Sequence, residues 1–249
     1  MISHRGYMLD LSKFRAVLGG FPMKILAVIP AYNEEACLLD TVHGLTAACP
    51  DIDYLVVNDG SVDATSGIIL ANRLNGANLP INTGLTSAFK LGMKYAHRNG
   101  YDAVVQFDAD GQHLPEYIPI MAHELEARDA DIVIASRFLD GTAKPSGVRG
   151  LGQRLITLLI KLTTGTTITD PTGGMRMYSR RMIDLFATSF DCAPEPDMVA
   201  LIARKYGPVV EIPATMQDRQ GGTSYFNLGN VLKYMARTCL SILMQRVLR

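Results

Sequence analysis

The chain alternates short apolar runs with longer stretches of helical spacing, the pattern of a sheet built from strand–helix units. The apolar runs at 24–29, 54–58, 103–107 and 131–136 each lead into a polar turn. Continuous runs rich in β-branched residues predict strands that are buried on both faces. Strands that alternate with helices predict an α/β fold with a mostly parallel, twisted sheet flanked by helices.

Weaker signals complete this pattern. Helices are predicted over 35–48, 64–74, 85–98, 115–127 and 152–163 and from Pro194, and short strands over 77–80, 175–178 and 209–212. Asp63 stands where a helix N-cap belongs. Residues 140–150 are rich in Gly, Pro and Ser, and this composition predicts a mobile loop.

The last predicted helix, from about Leu228 to Leu248, has an apolar stripe with Lys233 and Arg237 on the other side. The stripe comprises Leu228, Val231, Leu232, Met235, Cys239, Ile242 and Leu243. This spacing predicts an amphipathic C-terminal helix. Such a helix either packs against the domain, docks shallowly on a membrane or pairs with a membrane subunit.

Composition limits the classes of protein to which the chain can belong. The chain has 249 residues, 48% of them hydrophobic, and a net charge of zero, so nothing favours nucleic-acid binding. No apolar run approaches about twenty residues, so no transmembrane helix is predicted. The four cysteines are scattered, as in a cytosolic protein. Residues 1–22 lack a signal-peptide pattern and are predicted to lie outside the fold, which leaves a domain over 23–226 and a helix over 227–249.

Residues 104–113, Val-Val-Gln-Phe-Asp-Ala-Asp-Gly-Gln-His, carry the main chemical signal. Asp108 and Asp110 follow a buried strand, and strand alternation predicts that both point to one side, about 7 Å apart. Two carboxylates at this position suit Mg²⁺ or Mn²⁺ that takes its remaining ligands from a diphosphate. Two aspartates after a strand are common, so the role of this pair has to be judged from the residues in the neighbouring loops.

Polar residues also follow the other predicted strands. They are Tyr32-Asn-Glu34, Asp59 and Ser136-Arg137. In parallel sheets the ligand lies in the crevice beyond the carboxyl ends of the strands. The sequence therefore predicts one ligand site at this edge of the sheet.

Six segments in this order resemble the family 2 glycosyltransferases of the GT-A fold, in particular the dolichyl-phosphate mannose synthase type. They are Ile29-Pro-Ala-Tyr-Asn-Glu34, Val57-Asn-Asp-Gly-Ser61, Gln106-Phe-Asp-Ala-Asp-Gly-Gln-His113, Ser136-Arg137, Asp170-Pro-Thr-Gly-Gly-Met-Arg176, and Glu211-Ile-Pro213 with Arg219-x-x-Gly222-x-Ser224. The resemblance covers residues 23–225 and implies a GT-A (Rossmann-like) sheet and a nucleotide-diphosphate-sugar donor.

The resemblance also implies a set of site residues. The nucleotide-sugar site would comprise Pro30, Tyr32, Glu34, Asp59, Asp108, Ala109, Asp110, Arg137, Arg154, Arg219 and Ser224. Asp108 and Asp110 would hold the metal, with Gln112 nearby. Arg137, Arg154 and Arg219 would clamp phosphate oxygens. The catalytic group would be Asp108, Asp110, Gln112, Arg137 and Asp197.

The implied reaction is inverting transfer of a hexose from a UDP- or GDP-sugar to polyprenyl phosphate, at the cytoplasmic face of a membrane. A sugar-hydroxyl acceptor is the alternative, and it would need Glu195 or Asp197 as a base. Tyr225 stands where the family usually has a lysine after the serine. A nucleotidyltransferase and a non-catalytic sugar-nucleotide-binding protein are further alternatives. The sequence does not tell which nucleobase (uracil or guanine) the donor carries, which sugar is transferred, or what the oligomeric state is.

Overall fold

The structure is a computed structural model that describes residues 23–141, 147–189, 192–217 and 228–248. In these ranges the chain forms one seven-stranded sheet. The strands are β1 (Ile25–Ala31), β2 (Asp53–Asn58), β3 (Gly76–Asn78), β4 (Ala103–Gln106), β5 (Ile132–Ser136), β6 (Arg176–Ser179) and β7 (Val209–Pro213). All seven coincide with strands predicted from the sequence, with ends that differ by a few residues.

Helices follow most of these strands. They are α1 (Leu38–Ala48), α2 (Thr65–Ala71), α3 (Leu85–Arg98), α4 (Tyr117–Ala127), α5 (Gly147–Thr164), α6 (Arg180–Thr188), α7 (Pro196–Lys205) and α8 (Leu228–Leu248). The sequence patterns did not predict α6. Its N-cap, Ser179, accepts a hydrogen bond from Met182 N, and this cap begins the helix directly at the end of β6.

The strand order is β3-β2-β1-β4-β6-β5-β7, and every pairing is parallel except those of β6. The predicted mostly parallel α/β sheet is therefore confirmed. The segment before β6, Asp170–Gly174, lies beside Arg137 and Asp108 at the carboxyl ends of β5 and β4. Because β6 starts at that edge, it runs back across the sheet, antiparallel to both neighbours.

The core lies on both faces of the sheet. Ile29 and Val105 point toward α1 and α4, whereas Leu26, Val28 and Val104 point toward α3, α6 and α7. These strand residues are fully buried, so β1 and β4 form the centre of a three-layer sandwich. This burial explains why their sequences are continuous apolar runs.

The structure corrects three predictions about where a strand or helix begins or ends. Strand β4 ends at Gln106, so turn geometry, and not strand alternation, sets the positions of Asp108 and Asp110. Helix α5 begins at Gly147, inside the predicted loop 140–150, of which residues 142–146 lie outside the described chain. Asp63 Oδ1 accepts from Thr65 N at 3.0 Å, but the residue at the N-cap position is Ala64.

The C-terminal helix α8 packs on α5 and α7. Ile242 is buried, but Leu243, predicted for the packed stripe, is exposed on the same side as Lys233 and Arg237. Amphipathic character is therefore not confirmed for this helix. None of the helices in the described ranges is both long and apolar enough to cross a membrane. The extension 1–22 lies outside the described residues, so the boundaries at 22 and 226 stay predictions.

Candidate active site

The loops after β1 and β2 are joined by side-chain hydrogen bonds. Asn33 N donates to Ser61 Oγ at 3.0 Å, and Val62 N donates back to Asn33 Oδ1 at 3.0 Å. Glu34 N donates to Thr65 Oγ1 at 2.9 Å. Asn33 has a φ of +56°, a conformation that asparagine tolerates better than most residues. The loop is thereby fixed with Tyr32 and Glu34 half-buried at the carboxyl edge.

Asp59 fastens a third loop to this edge. Its buried carboxylate accepts from Thr83 N at 2.8 Å, from Thr83 Oγ1 at 3.0 Å and from Gly84 N at 2.7 Å. A carboxylate offers about four lone-pair positions, so roughly one is left for a ligand. Asp59 thus holds the turn that begins α3, and its contact to a base or ribose stays a prediction.

The turn after β4 is held by its own side chains. Asp108 N donates to His113 Nδ1 at 2.9 Å, and Gln106 Nε2 donates to Asp108 Oδ1 at 3.2 Å. Gln112 N donates to Asp110 Oδ1 at 3.1 Å. Asp108 is half-buried and Asp110 is buried. The two predicted metal ligands therefore sit in a preformed turn.

His113 and Gly174 fix the position of the Asp108 carboxylate. Because His113 Nδ1 accepts a backbone N–H, the ring proton is on Nε2, which lies 3.6 Å from Asp108 Oδ2. A Cβ on Gly174 would lie 2.7 Å from Asp108 Oδ2 and 3.2 Å from His113 Nε2. Neither residue was predicted to have a role, although both lie in segments that resemble the family.

Replacing Gly174 by alanine is expected to weaken Mn²⁺ binding about tenfold, because the added methyl group displaces the Asp108 carboxylate. Titration calorimetry with Mn²⁺ measures this change. Gly84→Ala is not a suitable control because Gly84 has a positive φ, whereas Gly44→Ala places its methyl in open space. Equal Mn²⁺ affinity in the Gly174 and Gly44 variants would contradict the steric role of Gly174.

Arg137 and Asp170 form the second feature of the edge. Arg137 donates to Asp170 from Nε at 2.7 Å and from Nη2 at 2.8 Å, and its backbone N donates at 3.2 Å. Hydrogen bonding to Asp170 raises the pKa of the Arg137 guanidinium, although burial opposes this shift. Two of the guanidinium nitrogens are thus engaged, and the phosphate clamp predicted for Arg137 has to use its outer edge.

Glu211 and Arg176 hold the Asp170–Gly174 turn in place through hydrogen bonds to its backbone. Glu211 accepts from Thr169 N at 2.7 Å and from Asp170 N at 2.8 Å. The buried Arg176 donates to Gly173 O at 2.8 Å and Pro171 O at 2.7 Å, and to Pro194 O at 3.2 Å. Glu211 and Arg176 were predicted only as parts of family motifs. The partners of Glu211 lie about forty residues away in the chain, and Arg176 binds backbone carbonyls that no sequence pattern identifies.

The two carboxylates proposed as bases face α8. Asp197 Oδ2 accepts from Ser241 Oγ at 2.5 Å and from Gln245 Nε2 at 3.4 Å. Burial, followed by the charge of Glu195 and a hydrogen bond to its carboxylate, raises the pKa of the Tyr234 phenol. Both carboxylates thus bind the C-terminal helix, and a base role for either stays a prediction.

The remaining predicted site residues lie in β1, in the turn after β4, on α5 or outside the described chain. Gln112 Nε2 donates to Gln217 O at 3.3 Å, and Gln217 N donates to Gln112 O at 3.0 Å. Gln217 is the last described residue before 218–227, so Arg219 and Ser224 lie outside the described chain. Pro30 is half-buried in β1, Ala109 is buried, and Arg154 is exposed on α5.

The donor set suits a divalent metal that is shared with a substrate. The described residues contain no cluster of three or more His, Cys, Asp or Glu side chains that could hold an ion by themselves. Mg²⁺ is usually bound by one or two carboxylates together with water and substrate phosphates. Asp108 and Asp110 fit that arrangement.

The sequence of this chain is similar to those of known proteins. The family described as "Glycosyl transferase family 2" matches residues 26–186. An undecaprenyl-phosphate mannosyltransferase of Micrococcus luteus is 34% identical over 223 residues, which cover 84% of this chain and 90% of that protein. A polyprenol monophosphomannose synthase of Mycolicibacterium smegmatis is 32% identical over 228 residues, which cover 85% and 84%.

The fold also resembles solved structures. Glucosyl-3-phosphoglycerate synthase from Mycobacterium tuberculosis, in complex with Mn²⁺, UDP and glucosyl-3-phosphoglycerate, superposes with a TM-score of 0.69. The sequence identity is 18%, and the match covers 98% of this chain and 86% of that one. At this identity the likeness speaks for the fold alone.

Proposed function

The chain belongs to glycosyl transferase family 2, and on that premise we propose that it moves a hexose from a nucleotide-diphosphate sugar to a polyprenyl phosphate. The family and the GT-A fold that the six sequence segments implied are both confirmed. The chain is accordingly a glycosyltransferase. Membership of this family leaves no support for the nucleotidyltransferase and non-catalytic alternatives.

The observation that carries the proposal is the meeting of two turns at the carboxyl edge of the sheet. Gly174 of the Asp170–Gly174 turn lies against Asp108 Oδ2, and the other side of the Asp108–Gln112 turn is hydrogen-bonded to Gln217. Asp108 and Asp110 would hold the divalent ion, which when bound offsets negative charge on the departing nucleotide. Tyr32 and Glu34, held half-buried in a braced loop, are proposed to bind the nucleoside.

Two further observations support a phosphate acceptor. The Micrococcus and Mycolicibacterium relatives are named for lipid-phosphate acceptors and align with most of this chain. A phosphate is already anionic at neutral pH and needs no general base. This agrees with the engagement of Asp197 and Glu195 by α8. The proposed transfer is an inverting single displacement at the cytoplasmic face of a membrane.

A donor screen by thermal shift tests the proposal. UDP-sugars or GDP-sugars, but not both, are expected to raise the melting temperature by several degrees in the presence of Mn²⁺, because a ligand that binds only the native state stabilises it. At a ligand concentration of about 100 Kd the gain is about 2.7 kcal/mol. Chelation with EDTA is expected to abolish the shift.

Product formation is the second arm of this test. The donor that shifts the melting temperature is incubated with polyprenyl phosphate, and the glycolipid is detected by mass spectrometry. Absence of a shift for every nucleotide, on folded protein, would contradict the donor site. A shift without glycolipid would contradict the acceptor and leave the donor site in place.

A further inference from the structure

Thr41 is a polar residue on the buried side of helix α1. The buried residues of this helix are Leu38, Thr41, Val42 and Leu45, and Thr41 is only 8% exposed. A hydroxyl group loses its contact with water when it is buried, so it is stable there only with a hydrogen-bond partner. The partner of Thr41 therefore indicates what this residue does.

Thr41 donates its hydrogen bond to the turn after β4. Thr41 Oγ1 lies 3.0 Å from Ala109 O, across 68 residues of the chain. Four other helical threonines donate from Oγ1 to the carbonyl four residues earlier in their own helix, at distances from 2.7 to 2.9 Å. They are Thr46, Thr163, Thr164 and Thr188. The bond within the helix is the usual one for threonine, so Thr41 is bonded differently from these four.

Ala109 lies between the two proposed metal ligands, Asp108 and Asp110. We refer to residues 108–112 as the metal turn. The carbonyl of Ala109 belongs to the peptide group that joins it to Asp110, and Ala109 is 2% exposed. Among the described residues, Thr41 is the one hydrogen-bond donor to this carbonyl. Because a peptide group is planar, a fixed carbonyl also fixes the direction in which the chain enters Asp110.

Helix α1 also begins at the loop that is proposed to bind the nucleoside. Leu38 N donates to Glu34 O at 2.9 Å, and Thr41 N donates to Cys37 O at 2.9 Å. The first turn of α1 is thus bonded to the nucleoside loop at its start and, through the Thr41 hydroxyl, to the metal turn. One rigid element therefore sets the spacing between the two parts of the donor site.

We propose that Thr41 is a positioning residue whose hydroxyl fixes the Ala109–Asp110 peptide and thereby aims Asp108 and Asp110 at a divalent ion. The inference rests on the proposed function, in which these carboxylates hold that ion against the donor diphosphate. A buried carbonyl without a donor is unfavourable, so loss of the hydroxyl is expected to rotate this peptide toward water. Groups that orient metal ligands typically change metal affinity by about 10- to 100-fold when they are removed.

Replacing Thr41 by valine removes the hydroxyl and keeps the shape of the side chain. We expect Mn²⁺ to bind about tenfold more weakly in titration calorimetry, with a similar fall in kcat/KM. In the metal-free protein, NMR is expected to show about tenfold faster exchange of the amide hydrogens of Asp108 and Gln112. Both amides donate to side chains of this segment, at 2.9 and 3.1 Å, so their exchange reports opening of the metal turn without metal or substrate.

Three further variants separate the hydroxyl from packing. Thr41→Ser keeps the hydroxyl and loses a buried methyl group, so it is expected to bind Mn²⁺ like the wild type while its melting temperature falls by about 2–4 °C. Thr41→Ala lacks both groups and is expected to bind Mn²⁺ as weakly as Thr41→Val. The control Thr46→Val removes a hydroxyl that donates to Val42 O within α1, and it should bind Mn²⁺ like the wild type.

Two results would overturn the proposal. The first is unchanged Mn²⁺ affinity and unchanged amide exchange in Thr41→Val. The second is an equal loss of Mn²⁺ affinity in Thr41→Ser, which would assign the effect to packing of the methyl group. Circular dichroism of each variant confirms that it is folded.

Nucleotide binding without metal separates this inference from the proposed function. The affinity for UDP or GDP in EDTA is expected to be the same in Thr41→Val and the wild type, because the nucleoside loop has its own hydrogen bonds to Ser61 and Thr65. A lower affinity in the variant would contradict a role confined to the metal turn. Absence of Mn²⁺ and nucleotide binding by the wild type would contradict the proposed function, while amide exchange would still decide whether Thr41 holds the turn.

Discussion

Replacing Asp110 by asparagine is expected to lower kcat/KM for sugar transfer by about 10³ or more. The substitution removes one of the two carboxylate charges available to hold a divalent ion against the donor diphosphate. Loss of a single group that stabilises developing charge typically costs this much. The measurement is a steady-state assay with the donor identified in the thermal-shift screen, together with Mn²⁺ binding by calorimetry.

The fold should not change in this variant. Asparagine keeps an Oδ1 that can accept the Gln112 N–H, which Asp110 accepts at 3.1 Å. The melting temperature without ligand is therefore expected to stay within about 2 °C of the wild type, since such exchanges usually cost little. Asp108→Asn should behave in the same way. Retention of Mn²⁺ affinity and activity by Asp110→Asn would show that the metal is held elsewhere.

Replacing Asp170 by alanine is expected to lower the free energy of unfolding by about 3 kcal/mol. Asp170 is fully buried and accepts three hydrogen bonds from Arg137. Removing one partner of a buried ion pair typically costs about 3–5 kcal/mol, and the lower end applies because the Arg137 side chain is 39% exposed to water. Urea denaturation measures the change.

An exposed ion pair of the same kind provides the control. Asp184 is 47% exposed and accepts from His97 Nδ1 at 2.8 Å and Arg180 Nε at 3.1 Å. Asp184→Ala is expected to cost less than about 1 kcal/mol, because water screens exposed pairs. Similar losses in the two variants would mean that the Asp170 pair is also weak, and that Glu211 and Arg176 alone hold the turn.

Residues with local causes were predicted well. The central strands were recognised because burial on both faces requires a continuous apolar run, and such a run is a local feature of the sequence. Asp108 and Asp110 were recognised because they directly follow such a strand. Helix α6 was missed because it begins without a connecting loop, immediately after β6, at a cap that only the backbone reveals.

Residues whose partners are distant in the chain were not given their roles. Glu211 holds Thr169 and Asp170 across about forty residues, and His113 and Gly174 meet only because β6 returns between β4 and β5. Asp197 was predicted as a possible base from its place in the first turn of a helix. The structure shows that its carboxylate contacts Ser241, which no sequence pattern connects to it.

The sequence by itself determined the sheet-and-helix architecture, the edge at which polar loops gather and the family to which the chain belongs. These follow from the pattern of apolar residues that have to be buried and from the order of residue types within short segments, and both are local features of the sequence. Only the tertiary structure decided which loop braces which, that β6 reverses direction, and that Thr41 of α1 donates to the turn that carries Asp108 and Asp110. Those features depend on pairings between distant segments, and their energies arise only when the chain has folded.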